Sequence, residues 1–147
     1  MRRLGILLAL LMTGCAMAPT QRREDSLIRD ARQFNDDLRW GRYDTLSASL
    51  TREEAPLFMA RVNELGDDLQ IADFEVTAIH FGPDSQSASV TVTFQWYSKR
   101  ASMLHATVLD QHWEFRAGHW VVALQRRVHG DRFPLVPEPV APPPAKP

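Results

Sequence analysis

Residues 87–98, SASVTVTFQWYS, alternate apolar and polar side chains without interruption. Val90, Val92, Phe94 and Trp96 fall on one face, and Thr91, Thr93, Gln95 and Tyr97 on the other. Successive strand residues point to opposite sides, so this pattern commits the segment to a strand with one buried and one wet face. Such a strand is stable only within a sheet whose apolar side is covered. Three more strands are expected, over about 71–81 (ending at the turn GPDSQ), about 103–116 and about 119–128.

Register can be read by arithmetic. With Ala117 and Gly118 as a two-residue turn, Phe115 faces Trp120, Trp113 faces Val122, Gln111 faces Leu124 and Asp110 faces Gln125. With Lys99 and Arg100 as the preceding turn, Trp96 meets Met103, Phe94 meets His105, Val92 meets Thr107 and Val90 meets Leu109. The apolar faces of all three strands then coincide, as an antiparallel meander covered on one side requires.

The cover lies upstream. Leu27, Ala31, Phe34 and Leu38 recur at helical spacing among Arg, Asp, Gln and Asn, which predicts an amphipathic helix to about Arg39, stopped at Gly41. A short helix fits YDTLSASL. A third fits 52–69, where Thr51 and Glu54 form a capping box ahead of Leu57, Phe58, Val62 and Leu65 and Pro56 sits near the first turn. The fold class expected is α+β, with N-terminal helices packed on a curved antiparallel sheet of about four strands, in one domain over 23–133. Trp40 is expected to cap the core. Residues 134–147, PLVPEPVAPPPAKP after Phe133, are expected to be an extended, solvated tail.

This order of elements is similar to that of the nuclear transport factor 2-like superfamily, also called SnoaL-like or cystatin-like α+β cones. The local likeness lies in LRWGRYDTLSASL and in HWEFRAGHWVVAL, and covers about residues 24–128. The resemblance implies a ligand cone between the concave sheet face and the helices. It does not choose a function, since the fold hosts dehydratases, isomerases, binding modules and secretion-system parts. In that cone the register places Phe94, Trp96, His105, Thr107, Gln111, Trp113 and Trp120 as pocket-lining candidates. His105 is the candidate general acid or base, and Gln111 could orient a carbonyl. The register supplies no inward carboxylate for His105, whereas the family's enzymes use an Asp or a His–Asp pair. In DQHWE, the residues Asp110, His112 and Glu114 share a strand face, but it is the outer one with Arg116 and His119, so no metal site is expected there. The sequence has no HExxH, glycine-rich phosphate loop or GxSxG, and no cofactor is expected.

The N-terminus is a different kind of segment. Arg2 and Arg3 precede LGILLALLM, an apolar run of 9 residues, far short of the roughly 20 that span a bilayer. The stretch LLMTGCAM then carries the only cysteine, Cys15. It resembles a bacterial lipoprotein signal peptide, with Met12 where the lipobox prefers leucine. The resemblance implies a signal peptide over 1–14, cleavage after Gly14, a diacylglyceryl thioether on Cys15, a third acyl chain on its new amino terminus and a lipidated tether over 15–22. Three acyl chains would hold the protein in a bilayer, where one is marginal. With Ala16 rather than aspartate after the cysteine, the resemblance favours the outer membrane, with the domain facing the periplasm.

Net charge narrows the partners. The formal charge is −1, or about −3 without Arg2 and Arg3, which argues against nucleic acid. With its cysteine acylated, the domain has no thiol chemistry and no disulfide. The leading reading is a non-enzymatic, lipid-anchored domain that binds a small apolar ligand or an envelope protein. Two rivals stay open: a dehydratase- or isomerase-like activity centred on His105, and an assembly component working through its outer sheet face.

Overall fold

The computed structural model describes residues 19–138; Cys15, the leader before it and residues 139–147 lie outside the described residues. Three helices, α1 (Pro19–Arg39), α2 (Tyr43–Ser47) and α3 (Glu54–Leu65), precede four strands, β1 (Leu69–Phe81), β2 (Ser87–Ser98), β3 (Leu104–Arg116) and β4 (His119–Gly130). The strands form one curved antiparallel sheet in the order β1-β2-β3-β4, so the fold is α+β.

The α1 helix lays Leu27, Ala31, Phe34 and Leu38 on the sheet, all at 2% exposure or less. It starts at Pro19, inside the segment expected as tether. Proline is tolerated in a first turn, and tertiary contacts hold the next one: Trp120 Nε1 donates to the Arg23 carbonyl at 2.9 Å, and the Arg23 guanidinium lies over the Phe115 ring. At the other end Gly41 takes φ +66°, as a glycine past a helix does. Arg42 then clamps back onto buried Asp37 (2.7 Å) and Asp36 (2.5 Å). Trp40 is 61% exposed and donates to Asp36, so it does not cap the core.

Half of the capping box at α3 forms. Thr51 Oγ1 accepts the Glu54 amide at 3.3 Å, but the Thr51 amide is taken by the Val122 carbonyl, and the Glu54 carboxylate pairs with Arg61. The competitor is a β-type contact, Leu50 bridging Val122, which covers part of the β4 edge.

Two register differences matter. The β2–β3 pairs are Trp96↔His105, Phe94↔Thr107, Val92↔Leu109 and Val90↔Gln111, two residues away from the expected set. The connection runs longer than Lys99–Arg100 because Ser98 and Asp68 organise it. Ser98 Oγ donates to Asp68 at 2.7 Å, the Arg100 amide donates to the same carboxylate, and the Ser102 amide donates to the Ser98 carbonyl. A slip of two leaves every side chain on its face, so the apolar alignment survives. In β3–β4 the hairpin end pairs as expected, Phe115↔Trp120 and Trp113↔Val122. A bulge at Ala123 then sets Gln111 opposite Gln125 and His112 opposite Leu124.

The C-terminal segment differs most from expectation. Leu135 and Val136, in the stretch whose prolines suggested a solvated tail, are buried at 0% and 3% exposure, next to Phe133 at 1%. Phe133 packs on Phe94 and Trp96 at ring distances of 5.3 and 5.7 Å. Prolines 134 and 137 remove donors but leave these three side chains free to close the open end of the core. The turn onto the sheet is made at Gly130, where φ is +82° and a Cβ would lie 2.2 Å from the Ala106 carbonyl oxygen. Gly130→Ala is therefore expected to cost at least about 1–2 kcal/mol. Thermal unfolding checks this against Gly118→Ala, a turn glycine with open space around it, which should cost less.

Polar contacts also hold residues 133–138: Arg127 Nη2 pairs with Glu138 Oε2 at 2.5 Å, and Arg61 Nε donates to the Leu135 carbonyl at 2.9 Å. Hydrogen bonding to Arg127 holds the Glu138 carboxyl below the usual carboxylate range. A depressed pKa means the pair stabilises the fold above the unfolded value, about 4.3, and that this contribution fades as pH falls through the folded value. The melting-temperature gap between wild type and Glu138→Gln should accordingly be present at pH 7 and close on acidification below about pH 4.

Candidate functional site

The concave face holds six of the seven pocket-lining candidates in its packed interior. Phe94, Thr107, Gln111 and Trp113 are fully buried, Trp120 is 2% exposed and Trp96 6%. Aromatic edges fill the space, with Trp113 against Phe34 at 5.4 Å and Trp120 against Phe115 at 5.3 Å.

The inward polar groups bond one another. Asn35, one turn past Ala31 on α1, donates to the Ala31 carbonyl (2.8 Å) and to Gln111 Oε1 (3.2 Å), while Gln111 Nε2 donates to Asn35 Oδ1 (2.8 Å) and Gln125 Oε1 (3.1 Å). Both donors of Gln111 and its carbonyl are thereby used, leaving nothing to orient a ligand. Thr107 Oγ1 accepts from Trp96 Nε1 at 2.9 Å and donates to the Asp131 carbonyl at 2.7 Å. Trp113 Nε1 is buried with no partner among the described residues.

His105 stands apart. It stacks on Trp96 with ring centroids 4.4 Å apart, and its Nδ1 lies 3.0 Å from Asp131 Oδ2. Asp131 is the carboxylate that sequence reasoning missed. It sits just past β4, outside any strand register, and reaches His105 only because Gly130 turns the chain back toward Ala106. A His–Asp pair can fix an imidazole tautomer and leave Nε2 to exchange a proton. This pair lies at the surface, with side-chain exposures of 25% and 58%, away from the cleft between α1 and β1.

On the outer face Asp110 accepts from Ser89 and pairs with Arg126 at 3.1 Å, and Glu114 pairs with Arg116 at 2.5 Å and lies 3.7 Å from His112. Among the described residues no three potential metal ligands converge.

The largest cleft found among the described residues lies between α1 and the edge strand β1. It encloses about 750 Å³ and is open to solvent, lined by Arg29, Arg32, Gln33 and Asp36 from the helix and Phe74, Glu75 and Val76 from the strand. Periodicity explains it. Positions 29, 32, 33 and 36 form the helix stripe beside the buried one, and β1 supplies three consecutive residues because its free edge opens there.

No family model matches the chain, and neither a curated protein nor a solved structure matches it.

Proposed function

We propose that this chain is a bacterial lipoprotein, anchored by acylated Cys15 in the outer membrane with its α+β domain facing the periplasm, and that it works by docking an envelope protein. The lipobox-like LLMTGCAM supports the anchor. One observation carries the choice of docking over an enclosed apolar ligand: Asn35, Gln111 and Gln125 satisfy one another in the space where such a ligand would sit. Clefts open outward instead. The bilayer and an envelope protein are then the two partners.

Cys15→Ala is expected to abolish fatty-acid labelling and leave unprocessed precursor, measured by metabolic labelling and gel mobility; equal labelling of the variant contradicts the anchor. Docking is tested by mild cross-linking in native membranes. A specific envelope protein should co-purify with the wild type, and its absence, with the protein recovered as a free monomer, contradicts the reading.

A second reading, an acid/base activity at His105, is favoured by the 3.0 Å contact with Asp131. It predicts a turnover lost in both His105→Gln and Asp131→Asn with the fold intact. Should the two variants leave every activity of the native protein unchanged, that reading falls.

A further inference from the structure

The docking surface can be narrowed to the α1–β1 cleft, an inference that rests on the docking reading. Strand β1 is an edge strand, and none of its backbone groups between Ala72 and His80 bonds to any described residue other than in β2. Edge strands present a row of free N–H and C=O groups, and proteins blunt them with bulges. Here bulges interrupt β1 between Ile71 and Asp73 and between Val76 and Ala78, leaving Asp73–Val76 as a regular, pairable stretch. That stretch is the one that borders the cleft.

The helical wall is cationic. Arg29 and Arg32, one turn apart and both exposed, make no salt bridge among the described residues, and Arg29 donates only to the Asp25 carbonyl at 3.3 Å. The one acid on that wall, Asp36, is engaged by Arg42 at 2.5 Å and by Trp40 Nε1 at 3.2 Å. Partly buried Phe74 and Val76 make an apolar floor, and exposed Glu75 lines the cleft between them. A strand added to β1 turns alternate side chains toward α1, with residues i and i+2 about 7 Å apart. Its backbone would satisfy the edge, and acids at i and i+2 would meet Arg29 and Arg32.

We propose that the cleft receives an extended segment of a partner protein, added as a strand to β1 at Asp73–Val76, with acidic side chains at alternate positions facing Arg29 and Arg32. The test uses the full-length lipidated protein in detergent micelles. The probe is the blocked heptapeptide Thr-Glu-Val-Glu-Val-Glu-Thr, with a Lys-for-Glu analogue and an analogue carrying proline at its centre. The acidic peptide should bind saturably below about 1 mM and protect from exchange those amides of residues 73–76 that point away from β2. Arg29→Glu with Arg32→Glu should weaken it at least about tenfold, and the Lys and Pro analogues should not bind. No saturation, equal binding of the Lys analogue, or protection elsewhere overturns the proposal, as does concentration-dependent pairing of two copies through β1.

A photo-crosslinker placed at Glu75 or at Leu124 in native membranes separates the two levels of the argument. Capture from position 75 of an acidic, extended partner segment supports the cleft. Capture from position 124 alone removes the cleft and keeps docking, and capture from neither removes both.

Discussion

Phe133→Ala is expected to destabilise the domain by about 3–5 kcal/mol, the usual cost of emptying a buried aromatic site. The residue is the last of the expected domain, just ahead of the stretch that composition marks as a solvated tail, and it is 1% exposed and wedged between Phe94 and Trp96. Deleting its ring leaves a cavity lined by two large aromatic faces that cannot collapse into it, because both are fixed in β2. Denaturant unfolding followed by tryptophan fluorescence gives the number directly. A change within about 0.5 kcal/mol would mean that the segment is not part of the fold.

Gln111→Ala should cost a similar amount, about 3–5 kcal/mol, from two sources. Truncation opens a cavity in a fully packed layer, and it strips partners from Asn35 and Gln125, each buried at 3% exposure or less. The second source is separable by a double-mutant cycle. Asn35→Leu alone and Gln111→Leu alone should each be destabilising, whereas the pair together should be less so than their sum, since the two reciprocal amides are then removed together and only Gln125 is left short of a partner. Additive losses would show that the two amides are independent, contrary to their reciprocal bonds at 2.8 and 3.2 Å.

These two residues also mark how far the sequence could be read. The alternation in SASVTVTFQWYS and the helical recurrence of Leu27, Ala31, Phe34 and Leu38 rest on steric periods that hold whatever the surroundings, so the fold class and the buried faces were legible. A two-residue error in the β2–β3 turn did no harm for the same reason. The partners of Gln111 were not legible. Gln125 comes opposite it only through the bulge at Ala123, and Asn35 only through the docking of α1, neither of which has a local signature. Asp131 and Phe133 were hidden by a single backbone event, the turn at Gly130, which folds a proline-rich strand end back onto the sheet. The α1–β1 cleft was likewise invisible, because it joins residues more than one element apart through an edge that sequence spacing does not encode.

The most direct test of the central claim, that the concave side is packed core and the binding surface lies outside it, is an NMR titration of the indole N–H resonances of Trp113 and Trp120 with benzene. In the native protein neither resonance should shift as benzene approaches saturation. In Trp113→Ala the Trp120 resonance should shift, because an emptied apolar site takes up such a probe. Saturable shifts of both indoles in the native protein would show a ligand chamber under the sheet and contradict the account.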